Sequence, residues 1–120
     1  MWATYLTAVS IGVASELFAW RQRLWVYRRP LYPLLNVAVM FGLVMGSVAM
    51  LVPALGVAVV FALGFAIGLA YEIANLAWLD WWFFPGDRLY GLRGREACAT
   101  GVSVAWGVVP VAVAVVRGLR

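Results

Sequence analysis

The sequence predicts an all-α integral membrane protein, built as a bundle of four helices. Hydrophobic residues make up 66% of the 120-residue chain and charged residues only 12%, whereas soluble domains are about half apolar and about a quarter charged. The apolar residues also fall into four long spans, separated by short polar or proline-containing connections. We therefore expect a single transmembrane domain over residues 1–120, with no room for a soluble domain.

Each of the four spans is long enough to cross a hydrocarbon core of about 30 Å. They run from about Trp2 to Trp20, Leu31 to Val52, Ala54 to Phe84 and Ala97 to Val116. The third is too long for the core, because about 30 helical residues reach about 45 Å. We expect its Trp-rich last part, which carries Asp80, to lie at the membrane interface. The N-terminus lacks the basic region of a cleavable signal, so we expect the first helix to be retained.

A short motif occurs twice, 56 residues apart. Ile11–Glu16 matches Ile67–Glu72 as Ile-Gly-x-Ala-x-Glu, and at the same offset Trp25 aligns with Trp81. The pattern favours two parallel-related two-helix repeats, and chance matches in an Ala- and Val-rich chain are the alternative. The predicted repeats span about residues 1–55 and 56–120.

The distribution of arginine predicts the orientation in the membrane. The first connection holds Arg21, Arg23, Arg28 and Arg29, and the third holds Arg88, Arg93 and Arg95. The positive-inside rule then puts both connections in the cytoplasm and both termini outside a bacterial inner membrane. We expect lipid headgroups or the interface to contact the four arginines of the first connection and Trp78, Trp81 and Trp82.

Two glutamates within apolar spans are the leading candidates for a functional site. Glu16 follows Gly12 by four residues and Glu72 follows Gly68 by four, so each carboxyl shares a helix face with a residue that permits close packing. A carboxyl in hydrocarbon is costly and marks a functional site by default. We expect one polar layer that joins both glutamates to Asn36, Tyr71 and Asn75.

Such a layer fits three roles. Low dielectric disfavours a charged carboxyl, so paired glutamates could exchange protons for a cationic solute. The same side chains could instead form a structural hydrogen-bond network, or be hydrated near the membrane surface. Glutamine replacements are expected to leave folding nearly intact and to abolish pH-dependent binding under the first role.

Composition argues against most enzymes and cofactors. Histidine is absent and Cys98 is the one cysteine, which removes His-based catalysis, internal disulfides and most zinc, copper and haem sites. No base accompanies the serines of the apolar spans. We therefore expect no catalytic residue, no metal and no cofactor. The net charge of +4 is scattered along the chain, so we expect no nucleic-acid partner.

Two transporter families resemble parts of this pattern. Four spans with a lone Glu in the first helix resemble small multidrug resistance transporters, and Trp82–Leu89, followed by Gly94 and Gly101, is similar to that family's connection between helices three and four. The family's Trp and Pro pattern in helix two is absent. A two-helix repeat with one Glu per copy resembles the proteobacterial antimicrobial compound efflux family, whose His, Trp-Asn and Phe-Asp motifs are missing. Both resemblances concern topology, which does not transfer function.

The leading hypothesis is a proton-linked carrier or exporter of a small amphipathic or cationic solute. Four helices enclose little space, so we expect a homo-oligomer in the lipid bilayer. The alternative is a non-catalytic accessory or assembly subunit of a larger membrane complex, bound through its glycine faces and Trp residues.

Overall fold

The computed structural model describes every residue from Met1 to Arg120, and the chain is mostly helical. Its five helices are α1 (Trp2–Gln22), α2 (Tyr32–Ala49), α3 (Val52–Leu55), α4 (Val57–Leu79) and α5 (Arg95–Arg117). Helices α2, α4 and α5 are long and apolar enough to cross a membrane. Helix α1 has 21 residues, but its Thr, Ser and Glu side chains lower its hydropathy. The prediction of a helical membrane protein is confirmed at this level.

Two short antiparallel ladders lie in the connections between the long helices. Strand β1 (Val26–Tyr27) pairs with β2 (Trp82–Phe83), and β3 (Arg88–Leu89) pairs with β4 (Leu92–Arg93). The sequence predicted no strand, but extended connections must bond their backbone groups, and these ladders do so. Because β1 follows α1 and β2 follows α4, both helices run toward the same end of the molecule.

The third long span ends earlier than the sequence predicts. Helix α4 ends at Leu79, and Asp80 takes a left-handed conformation with φ of 50°. The chain turns there into β2, so the helix ends before the predicted end of the span near Phe84. A non-glycine residue in this conformation is uncommon, and here it forms the turn between α4 and β2.

Two of the helices widen into π-helical geometry, and both wide segments begin at an asparagine. The segments are Asn36–Met45 in α2 and Asn75–Leu79 in α4. π turns are rare and occur frequently at functional sites. Both asparagines lie toward the end of the molecule that holds β1 and β2, because α2 begins there and α4 ends there.

Glycines allow the long helices to approach one another closely. A Cβ at Gly46 would lie 2.9 Å from the Tyr5 ring, and one at Gly64 would lie 2.6 Å from the carbonyl oxygen of Trp106. That carbonyl has no partner four residues on, because Pro110 lacks an N–H group. These glycine faces therefore serve contacts within the chain.

Helix α5 has the most extensive contacts. It packs mainly against α4 and also contacts α1 and α2. The buried core includes Phe41, Met45, Val60, Trp106 and Val113. Many large apolar side chains remain exposed on the outer faces of the helices, as expected for surfaces that meet lipid rather than water.

Candidate functional site

Glu16 is held by three hydrogen-bond donors near the end of α1. Its Oε1 accepts from the Tyr27 hydroxyl and from the Asn36 amide, each at 2.6 Å. Its Oε2 accepts from the indole Nε1 of Trp25 at 3.1 Å. Hydrogen bonds to a carboxylate are short and strong. Three donors from two separate segments therefore fix this half-buried side chain in one orientation.

A chain reversal after α1 brings two of these donors to Glu16. Arg23 follows the last residue of α1, has a left-handed φ of 53° and bonds through its backbone N–H to the carbonyls of the last helical turn. The turn sends β1 back beside the helix. Trp25 and Tyr27 then reach the carboxyl, while Asn36 enters from the first π turn of α2.

Tyr27 acts as a donor at every ordinary pH. Burial and the neighbouring carboxylate of Glu16 raise the pKa of its phenol well above the usual range. Its hydroxyl donates to Glu16 and accepts a bond of 2.9 Å from the amide nitrogen of Asn36. The buried Oδ1 of Asn36 has no hydrogen-bond partner. A rotated amide would bring that oxygen against the carboxylate, so Glu16 determines the orientation of Asn36.

Glu72 is more deeply buried than Glu16 and is bound only by indoles. Its side chain is 1% exposed, and its two oxygens accept from Nε1 of Trp82 at 3.3 Å and Nε1 of Trp106 at 3.2 Å. An indole nitrogen can only donate, so both carboxyl oxygens act as acceptors. The chain's one salt bridge, between Arg28 and Asp80 at 2.9 Å, lies elsewhere.

Asn75 has a different role from the one its spacing suggested. Its Oδ1 accepts from the backbone N–H groups of Trp81 at 2.7 Å and Trp82 at 3.3 Å, and its amide donates to the Trp82 carbonyl at 3.0 Å. These bonds hold the turn between α4 and β2. Asn75 therefore hydrogen-bonds neither carboxyl, and it positions the indole of Trp82.

Both glutamates line one cavity of about 600 Å³. Asn36 and Tyr71 line it as well, so the structure brings together four of the five residues of the predicted layer. The Tyr71 ring lies 4.8 Å from the Trp82 ring and 5.9 Å from the Trp106 ring, between centroids. The cavity therefore combines two carboxyls with several aromatic faces and an otherwise apolar wall.

The three tryptophans expected at the interface occupy different environments. Trp78 is 79% exposed, and Trp81 is half-buried and stacks on Tyr32 with ring centroids 4.7 Å apart. Trp82 is only 5% exposed and donates to Glu72. The placement of Trp82 is a correction, because the turn at Asp80 redirects this side chain into the protein.

The four arginines of the first connection are all exposed at the end that holds β1 and β2. Arg28 pairs with Asp80, and its guanidinium also lies 4.7 Å from the centre of the Phe83 ring. The guanidiniums do not reach the glutamates. Glu16 and Glu72 are therefore satisfied by neutral donors alone.

Several residues of the site were not predicted from the sequence. Trp25 and Tyr27 fall in the connection between the first two predicted spans, and Trp106 falls within the fourth span, where no motif links it to a carboxyl. Only the alignment of Trp25 with Trp81 gave a signal, and in the second half the indole bound to the carboxyl is Trp82, the next residue. The bonds depend on chain reversals that periodicity does not reveal.

The side chains of Asp, Glu, Cys and His do not converge in groups of three or more anywhere in the chain. The site therefore consists of two carboxyls, their neutral donors and the aromatic wall of the cavity. Comparison with known proteins finds no family model, no curated protein and no solved structure that matches this chain.

Proposed function

We propose that this protein is an oligomeric carrier, rather than an enzyme, and that it exchanges protons for a small cationic or amphipathic solute. Glu16 and Glu72 are the coupling carboxyls. The observation that carries the proposal is the cavity of about 600 Å³ that both glutamates line together with aromatic side chains. Its volume lies in the range of about 300–1,000 Å³ that is typical of small-molecule sites.

Aromatic faces and carboxylates favour the same class of ligand. The face of an aromatic ring attracts a cation by roughly 0.5–2 kcal/mol, depending on how far the pair is desolvated. Tyr71, Trp82 and Trp106 have adjacent rings at the cavity, so a cation can contact more than one of them. The carboxylates supply the opposite charge, and the apolar wall suits the hydrocarbon part of an amphipathic solute.

Charge balance in the cavity supports the link to protons. Glu16 and Glu72 line the same cavity, and two negative charges in an apolar site repel each other and lack solvation. Either protons or a bound cation must compensate for them. A cation that enters therefore displaces protons, and protons that return displace the cation.

The register of the β1–β2 ladder supports an internal repeat. Val26 pairs with Phe83 and Tyr27 pairs with Trp82. At the 56-residue offset, Val26 corresponds to Trp82 and Tyr27 corresponds to Phe83, so a twofold rotation exchanges the two pairings. The proposal takes this axis along the membrane normal, as in transporters built from parallel repeats. It also includes four spanning helices per chain and a homodimer that completes the pathway.

The proposed orientation puts the end with β1 and β2 in the cytoplasm of a bacterial inner membrane and both termini outside. Single cysteines can test it in a Cys98→Ala background. Trp2→Cys and Leu119→Cys should react with an impermeant reagent added outside, whereas Arg28→Cys and Arg93→Cys should not. Labelling of Arg28→Cys from outside would reverse the orientation.

The test of the carrier uses tetrabutylammonium, which has no titratable proton. Calorimetry on the purified protein in mild detergent should detect binding that weakens as pH falls and that releases protons. Glu16→Gln and Glu72→Gln should each reduce the proton release, because glutamine cannot titrate. Glu96→Gln, at an exposed position, is the matched control and should leave it unchanged. Unchanged proton release in both site variants would rule out a coupling role.

The accessory-subunit hypothesis gives a different result in the same preparation. A carrier should elute as a homodimer without a stoichiometric foreign protein. The glycine faces expected to bind such a partner are already occupied within the chain. A foreign protein that co-purifies at one copy per chain would favour the subunit.

A further inference from the structure

A second concave site lies beside the candidate carrier cavity and has the opposite electrostatic character. It is a pocket of about 900 Å³ between the end of α1 and the first connection, and all four arginines of that connection line it. We refer to it as the arginine pocket, defined by Arg21, Arg23, Arg28 and Arg29. We propose that the arginine pocket binds the phosphate group of an anionic lipid.

The positive charge of the arginine pocket is largely uncompensated. Arg28 forms a salt bridge with Asp80 at 2.9 Å, and it is the only arginine of the chain that forms one. Glu16 is the one carboxyl that lines the pocket, and both of its oxygens already accept hydrogen bonds. Arg21, Arg23 and Arg29 therefore line one pocket without a salt bridge to an acidic side chain, and an anion bound there would offset their positive charge.

Guanidinium groups select phosphate more specifically than a positive charge alone does. Each is planar and offers a fork of N–H donors that matches two phosphate oxygens. Pro30 and Pro33 also line the pocket, and their fixed φ angles stiffen the connection that carries Arg28 and Arg29. The pocket thus offers several charged forks on a restrained backbone.

The apolar side of the pocket indicates that the phosphate belongs to a lipid. Leu17 and Trp20 line it together with the arginines and are 59% and 78% exposed. They lie on α1 and precede Arg21, toward the apolar middle of that helix. A lipid places its acyl chains against such a surface and its headgroup at the level of interfacial Trp and Arg residues. Free phosphate would make no use of these side chains.

This site does not depend on the proposed carrier function. Glu16, Trp25 and Tyr27 form a wall that the cavity and the arginine pocket share. A lipid phosphate on the outer side of that wall needs no occupant on the inner side. Loss of cation binding would therefore leave the lipid proposal standing, and the reverse also holds.

Native mass spectrometry of the detergent-solubilised full chain tests the proposal with phosphatidylglycerol and, as the neutral comparison, phosphatidylcholine. The protein should retain one phosphatidylglycerol per chain and release phosphatidylcholine. Arg21→Gln combined with Arg23→Gln should weaken retention by about tenfold or more, since one charge-assisted hydrogen bond is worth about that factor. Arg88→Gln combined with Arg93→Gln removes the same charge outside the pocket and should change retention far less.

Two further measurements separate a built site from diffuse attraction. Arg21→Lys combined with Arg23→Lys keeps the charge but loses the planar fork, so retention should still fall. Equal losses in the two Gln pairs, or full retention in the Lys pair, would overturn the proposal in favour of diffuse attraction. Inorganic phosphate should not raise the melting temperature in lipid-free detergent. A rise that depends on Arg21 and Arg23 would assign the pocket to a free phosphate and overturn the lipid assignment.

Discussion

Glu72→Gln should destabilise the fold even though glutamine matches glutamate in size. Both oxygens of Glu72 accept from indole nitrogens, 3.3 Å away in Trp82 and 3.2 Å away in Trp106. An indole only donates, and a glutamine amide presents one acceptor and one donor end. One indole would therefore face an NH₂ group. The sequence predicts that glutamine leaves folding nearly intact, whereas the two indole donors predict a loss of stability at this position.

The size of the effect follows from the number of donors left without an acceptor. A buried donor without a partner costs about 1–3 kcal/mol, so Glu72→Gln should lower the free energy of unfolding by that amount. Glu72→Ala leaves both indoles without an acceptor, which costs about 2–6 kcal/mol before any cavity is considered. The order of stability should be wild type, then glutamine, then alanine.

Reversible denaturant unfolding in mixed micelles measures these differences. Glu96→Gln is the control, since this carboxyl is exposed in the first turn of α5, and its change should stay within about 1 kcal/mol. In the double variant Glu72→Gln/Trp106→Phe, the amide oxygen can turn to Trp82 and the NH₂ group no longer faces a donor. The two losses should then be less than additive. Full stability of Glu72→Gln, together with strict additivity, would refute the indole–carboxyl arrangement.

Three further predictions follow from packing and exposure. Gly64→Ala should cost about 1–3 kcal/mol in unfolding free energy, because its Cβ would meet the backbone of α5 at 2.6 Å; Gly91→Ala, with open space around it, is the control, and equal stability of the two would contradict the close approach. Asp80→Asn should change the unfolding free energy by no more than about 1 kcal/mol, because the salt bridge to Arg28 is exposed to solvent; a larger loss would mean that the pair holds the turn. Cys98 is fully buried, so it should react with a maleimide only after unfolding. Rapid labelling of the native protein would contradict the packing of α5 described here.

The sequence alone determined the class of the protein and where its polar anomalies lie. An apolar content of 66% predicts a helical membrane protein, and the lengths of the predicted spans follow from the thickness of a bilayer. The positions of Glu16 and Glu72 stand out because carboxyls in apolar helices are costly. The spacing of Gly68 and Glu72 further predicted that this carboxyl shares the close-packed face of its helix, and both residues are buried.

The partners of the two carboxyls were decided by the tertiary structure. The left-handed turns at Arg23 and Asp80 direct Tyr27 and Trp82 back toward Glu16 and Glu72. No hydrophobic period records such turns, because they depend on backbone dihedrals at single residues. Helical spacing placed Asn75 beside Glu72, but its short side chain instead bonds the backbone that follows α4.

The cavity likewise exists only in three dimensions. Trp106 reaches Glu72 from α5, 34 residues further along the chain, and it fits there because Gly68 leaves room for its ring. A sequence reports which side chains are apolar or charged, and its periodicity reports which face of a helix they share. Which faces meet, and which donors reach a buried carboxyl, depends on the packing of helices that are distant in sequence.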